Sequence, residues 1–230
     1  MSILHTRQFS GWARGHLLCR AEGVTDRFAL TFDDGPNPRA TGAILDLLAK
    51  HGAHGTFFML GGNIRRHGDI VRRVAEEGHE PAVHGNSHWP LPFLLPGGIR
   101  AQVLGCAEEI EKATGARPRL YRPPFGFMSP GQARFVRNLG FESVLGDVYP
   151  EDPHQPGTAR IVRRVLRRLE AGSILILHDG SPLGPANRDQ TVEALEEILW
   201  EATRHGWRGT TVSDLLSAGP GPGSAPASTA

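Results

Sequence analysis

The 230-residue chain is poor in cysteine and in long apolar runs, and it has no marked excess of charge of either sign. Only Cys19 and Cys106 occur, far apart and without a CxxC pair. That excludes a disulfide scaffold and a thiolate zinc site, and the two are read as separate thiols rather than as a bond. No apolar run approaches the roughly 18–20 residues that span a bilayer, so no membrane segment is expected. Lys and Arg number 25 against 24 Asp and Glu, a formal charge of +1, which argues against a large polyanion footprint such as nucleic-acid binding. The leading segment carries Arg7, Arg14 and Arg20 but no apolar stretch of signal-peptide type. Read from Met1, it leads to the expectation of a cytoplasmic protein; a trimmed chain would be a secreted one. Nothing in the sequence specifies an oligomeric state.

What is present is a regular alternation. Residues 28–32, 55–60, 80–83, 119–122, 141–148, 173–177 and 207–211 read as strands. Between them, residues 41–50, 69–77, 98–114, 130–139, 158–170 and 190–203 have helical spacing, with Gly78 and Gly115 as stop signals. Residues 212–216 read as a terminal turn. Such an order predicts an α/β fold, a distorted (β/α) barrel of about seven mostly parallel strands covered by helices. Residues 1–26 show no clear period and are left unassigned, residues 27–217 form the expected catalytic domain, and residues 218–230, rich in Gly and Pro, read as a disordered tail. The basic stripe Arg160, Arg163, Arg164, Arg167 and Arg168 is read as a solvated helix face rather than an anion site. Residues 89–98 (WPLPFLLPGG) read as a packed loop, with a substrate rim as the alternative.

Four of these strands end in polar clusters, where barrel folds place their chemistry. Asp33-Asp34-Gly35-Pro36 sets two carboxylates side by side behind an apolar run. Adjacent residues must point in different directions, so one can bind a metal while the other stays free as a base; a plain turn is the bland alternative. His84-Gly85-Asn86-Ser87-His88 spaces two imidazoles at i and i+4, as on one face of a helical turn. One carboxylate and two imidazoles supply three ligands and leave positions open, the pattern of a catalytic metal site. Zn2+ fits such a set, and Co2+, Ni2+ or Mn2+ could occupy it. Arg122-Pro123-Pro124-Phe125-Gly126 offers a charge partner for a carboxylate and a stiff backbone N–H, or merely a rigid turn. His178, after the apolar run 173–177 and before Asp179, is placed as a general acid or base, or as a simple strand-end histidine.

These segments, in this order, resemble the polysaccharide deacetylase family, the NodB-homology domain of carbohydrate esterase family 4. The residues that carry the resemblance are Thr31-Phe32-Asp33-Asp34-Gly35-Pro36, His84-x-x-x-His88, Arg122-Pro123-Pro124-Phe125-Gly126 and Leu177-His178-Asp179, within a match from about Phe28 to Leu216. The resemblance implies a metal-dependent hydrolase that removes acetyl groups, mostly N-linked, from a carbohydrate substrate: chitooligosaccharide, peptidoglycan glycan or a small aminosugar. It implies Asp34, His84 and His88 as metal ligands, Asp33 as general base paired with Arg122, and His178 as general acid. It further implies the Phe125 N–H as an oxyanion donor and Leu177 as lining for the acetyl methyl group. Asp152 is the preferred supporting carboxylate for His178, with Asp147 as the other candidate. The family's Trp after that Asp is Pro153 here, and Gly85 stands where Ser or Thr is common. The alternative activity is a related metal-dependent amidase acting on a non-sugar acyl amide or cyclic imide. A non-catalytic relative is disfavoured because all five residues of the metal and acid–base set are present.

Overall fold

The apolar run around Phe28 becomes the central strand of the sheet. The computed structural model describes residues 17–219. Strand β1 (Arg27–Gly35) pairs in parallel with β6 (Ile174–His178) along one edge. It also pairs in parallel with β2 (Thr56–Met59) and, at its foot, with β7 (Arg208–Thr210). Strands β3 (Glu80–Val83), β4 (Leu120–Tyr121) and β5 (Glu142–Ser143) continue the sheet in the order β5-β4-β3-β2-β1-β6. Every ladder is parallel, so all strands deliver their carboxyl ends to one mouth. The expected seven-stranded parallel architecture is the one observed.

The crossover helices are α1 (Pro38–Lys50), α2 (Gly61–Ile64), α3 (Gly68–Glu76), α4 (Pro96–Thr114), α5 (Pro130–Asn138), α6 (Thr158–Leu166) and α7 (Asp189–Arg204), with α8 (Val212–Ala218) last. Local chemistry sets their ends. Asn37 caps α1 by accepting from the Arg39 and Ala40 N–H groups, with Pro38 in the first turn. Ala40, Thr41, Ile44, Leu45 and Leu48 then form its buried stripe. Alternation along β1 splits the interior in two. Phe28, Leu30 and Phe32 pack outward with helix residues such as Ile44, Leu45 and Leu195. Ala29 joins Phe58, Ala82, Leu120, Val144 and Ile174 inside the curl, with Val212 and Leu215 of α8.

Several expected boundaries moved. The strand expected over 141–148 keeps only Glu142–Ser143 as a ladder, because Gly146 turns at φ 127° beneath Ile176. Beyond it, single bridges Leu18–Val144 and Val148–Leu175 join the β5 and β6 sides, so the barrel is sealed there by isolated contacts rather than by a ladder. Those bridges draw in Leu18 from the segment left unassigned. The terminal turn is a full helix, capped by the Thr211 hydroxyl accepting from the Asp214 N–H. The tail from residue 220 and the segment before residue 17 lie outside the described residues. Arg160, Arg163, Arg167 and Arg168 are exposed, as a solvated face requires, and Arg164 pairs with Glu151 at 3.0 Å. No disulfide joins the cysteines; burial pushes the Cys106 thiol up to about 12, which keeps it inert.

Phe57 is fully buried and stacks on Phe32 at 4.8 Å between centroids. Phe57→Ala should cost about 3–5 kcal/mol, read as a lower urea midpoint with unchanged slope.

Candidate metal and catalytic site

Five adjacent strands end on one level. Asp33 is the register partner of His178, Met59 of Val83, and Val83 of Tyr121. His84 and Arg122 are therefore the first residues past β3 and β4, beside Asp33 and His178 at the mouth.

Alternation alone would send Asp33 into the mouth and Asp34 away from it. The strand breaks that rule. The β1–β2 register shifts between Asp33 and Gly35, and Asp34 adopts φ 72°, which turns its carboxylate back toward the same centre. The two carboxylates thus converge on His84: Nε2 lies 3.6 Å from Asp34 Oδ1 and 3.9 Å from Asp33 Oδ2. This kink needs a bare neighbour, since a Cβ on Gly180 would stand 2.0 Å from the Asp34 carbonyl oxygen. Asn63 completes the clamp by donating to that carbonyl at 2.8 Å and to Ser181 O at 3.2 Å.

The two histidines do reach one point, but not on a helical turn. Residues 84–88 form an irregular loop with φ 96° at Gly85 and φ 58° at His88. Its polar backbone is satisfied from outside, which replaces the expected helical bonds. Gly61 and Gly62 N–H donate to the Gly85 and Asn86 carbonyls, and Gln102 Oε1 accepts from the Asn86 and Ser87 N–H groups, each at 2.9 Å. His84 Nδ1 donates to the Arg122 carbonyl at 2.8 Å, which leaves its Nε2 lone pair facing the carboxylates. His88 Nε2 lies 3.3 Å from Asp34 Oδ1. One ligand atom each from Asp34, His84 and His88 fall within 4.8 Å of one another. Asp34 Oδ1 is buried without a hydrogen-bond partner among the described residues. An orphaned carboxylate oxygen facing two imidazole nitrogens, one of them fixed as a lone pair, fits a divalent cation.

Asp33 has a different partner. Arg122 Nη1 donates to its Oδ1 at 2.6 Å and to Thr31 Oγ1 at 2.7 Å, and the guanidinium lies 4.0 Å over the Phe58 ring. Burial alone would raise the Asp33 pKa, but the Arg122 charge, followed by His84 and His178, outweighs it and holds the carboxyl below its usual range.

On the other side, Asp152 meets His178 twice: Oδ1 accepts from Nδ1 at 3.1 Å and Oδ2 from the backbone N–H at 2.9 Å. Burial opposes a charged imidazolium here, yet Asp152, with Asp33 and Asp34 beyond it, raises the His178 pKa to about 9. The other candidate carboxylate, Asp147, instead accepts from the Ile174 N–H at 2.8 Å. Thr191 and Arg188 were not legible in advance. Thr191 Oγ1 donates to Asp152 at 3.0 Å, and buried Arg188 ties the Gly180 carbonyl to that of Pro153. A lone arginine in a loop gives no sequence signal for such a role.

Phe125 sits at φ 61° with its ring edge-on to His88 at 4.5 Å. Leu177 sits next to His178 on β6. It alternates with His178, is fully buried, and packs with Phe32 in the helix-facing cluster. The residue that shares the His178 face is Ile176, two positions earlier and half-buried. Tyr149 places its ring 5.9 Å from that of His178, whereas Pro153 lies within the 3-10 turn Asp152–His154.

The chain has relatives in both sequence and fold. The family model described as polysaccharide deacetylase matches residues 21–144. A peptidoglycan-N-acetylglucosamine deacetylase of Bacillus cereus is 36% identical over 190 residues, covering 82% of this chain and 87% of that protein. A chitooligosaccharide deacetylase of Bradyrhizobium sp. is 37% identical over 186 residues, covering 77% and 85%. The crystal structure of a peptidoglycan N-acetylglucosamine deacetylase in complex with 4-naphthalen-1-yl-N-oxidanyl-benzamide superposes with a TM-score of 0.84 at 29% identity, covering 90% and 96%.

His84→Ala and His88→Ala should each weaken zinc binding at least about tenfold in competition with a chromophoric chelator. Asp33→Asn should leave the zinc stoichiometry unchanged.

Proposed function

Because the chain belongs to the polysaccharide deacetylase family, in which the two relatives named above are a peptidoglycan-N-acetylglucosamine deacetylase and a chitooligosaccharide deacetylase, we propose that it hydrolyses N-linked acetyl groups on N-acetylated sugars with Asp33 as base and His178 as acid. The observation that carries this reading is the division of labour between adjacent carboxylates. Asp33 is held by Arg122, while the free oxygen of Asp34 faces His84 and His88. Fold alone would not carry it, since one fold hosts many activities.

Asp34, His84 and His88 would hold the divalent ion, with zinc the best match to one oxygen and two nitrogen donors. When bound, the ion supplies a Lewis acid for the acetyl carbonyl and lowers the pKa of water. Asp33, kept ionised by Arg122, takes the proton from the attacking water. The Phe125 N–H, in its rigid Pro-Pro-Phe-Gly turn, donates to the charge that develops on the acetyl oxygen. His178 gives its proton to the departing sugar nitrogen, which leaves poorly as an anion. Acetate and the free amine are the products. Ile176, rather than Leu177, offers the apolar surface beside the acetyl methyl group, and Tyr149 provides the aromatic wall that Pro153 does not.

Asp33→Asn should abolish acetate release from N-acetylated oligosaccharides while zinc is retained; surviving turnover would remove Asp33 as base. Chelation should stop the reaction and added divalent ion restore it, across a panel that includes non-sugar amides as negative substrates. The raised His178 pKa keeps its acid form through neutral pH, so activity should fall as pH rises through about 9. Asp152→Asn removes the charge that raises it, and the alkaline limb of kcat should move to lower pH.

A further inference from the structure

The mouth of the barrel carries apolar side chains that sugar chemistry does not use. In the loop between β3 and α4, Leu91 is fully buried and Leu94 half-buried against the core, while Pro90, Pro92 and Pro96 stiffen the backbone. On that anchored frame Phe93 and Leu95 stand out, each 81% exposed. Across the mouth, in the loop after β6, Leu183 is 96% exposed. Trp89, directly after His88 in the chain, is more than half exposed. The loop expected to pack is therefore half anchor and half projection. Because every strand is parallel, these loops share one face.

The exposed charges on that face are mainly cationic, with Asp69 in the first turn of α3 as an exposed acid. Arg66 and Arg100 are exposed there, and Arg66 donates to a neutral amide, Asn63 Oδ1, at 3.0 Å. No Asp or Glu occurs between Glu80 and Glu108. Several acids of the other mouth loops are engaged: Asp33 with Arg122, Asp147 with the Ile174 N–H, Glu151 with Arg164, Asp152 with His178, and Asp179 with the Thr41 hydroxyl at 2.5 Å, while Asp34 is buried beside the histidines. Asp189, at the start of α7, pairs with Arg39 at 2.8 Å.

The geometry points to a peripheral docking face for an anionic lipid bilayer, with Phe93, Leu95 and Leu183 entering the headgroup region and Arg66 and Arg100 meeting lipid phosphates. A glycan would be a poorer occupant for these tips. Leucine has no ring face to stack on a pyranose, and the projecting residues bring no carboxylate or amide to its hydroxyls. An interfacial Trp beside cationic and aliphatic groups is instead the pattern of a surface that rests in lipid. Docked this way, the metal and acid–base groups face glycan attached to that surface. The inference concerns where the site is presented and stands apart from the deacetylase reading, because vesicle binding is measured without turnover.

The test is co-sedimentation of the full chain with phosphatidylglycerol-containing vesicles and with pure phosphatidylcholine vesicles, beside acetate release from a soluble N-acetylated oligosaccharide. The chain should partition onto anionic vesicles in preference to neutral ones. Phe93→Ser/Leu95→Ser/Leu183→Ser and Arg66→Glu/Arg100→Glu should each reduce that partition by about tenfold or more, with acetate release from the soluble substrate unchanged. Failure of the wild-type chain to bind anionic vesicles, or equal binding by the variants, would overturn the proposal. So would loss of soluble-substrate turnover in the triple variant without a change in vesicle binding, which would mark the tips as glycan contacts.

Discussion

Arg122 governs both halves of the metal and base geometry. Its guanidinium holds Asp33, and its main-chain carbonyl fixes the tautomer of His84. A buried ion pair of this kind is weak as a source of stability, because desolvation offsets most of the attraction. Its value lies in what removal would leave: an uncompensated carboxylate in the interior, which would take up a proton and cease to be a base. The stack over Phe58 and the bond to Thr31 keep the guanidinium planar against β1, so the pair has one geometry rather than several.

Around that pair the site separates its titrating groups. Arg122 pulls the Asp33 pKa down, and Asp152 pushes the His178 pKa up, so that at neutral pH one is a bare base and the other a loaded acid. The supports behind them are unequal. Asp33 is held by a strand-end arginine, whereas Asp152 sits on a short turn that Thr191 and Arg188 fasten to α7 and to the end of β6. The acid is therefore the half whose alignment depends on loop integrity.

The parallel sheet was legible because β1, β2 and β6 are short apolar runs between helical patterns, and the site was legible because its chemistry is concentrated in four strand-end segments. What the sequence did not disclose is backbone geometry. Period-two reasoning sends Asp33 and Asp34 apart, but a bulge brings them together. An i, i+4 pair suggests a helical turn, but Gln102 and the Gly61–Gly62 amides hold His84 and His88 on a loop. The same alternation puts Ile176, not Leu177, on the face of β6 that His178 shares, since residues two apart share a face. Arg188 and Thr191 escaped because their roles depend on contacts across some forty residues of chain, which composition and periodicity do not encode.

The register partnership of Asp33 with His178 bears on how this scaffold can evolve. Neighbouring strands in a ladder sit about 4.8 Å apart, a spacing set by main-chain hydrogen bonding and not by side-chain choice. In the proposed reaction, the proton's point of pick-up and its point of delivery are thus geared to the pitch of the sheet itself. Insertions, deletions or wholesale replacement of the surrounding loops can re-tailor what enters the mouth while leaving that gauge untouched, which makes this scaffold a sound host for grafted specificity.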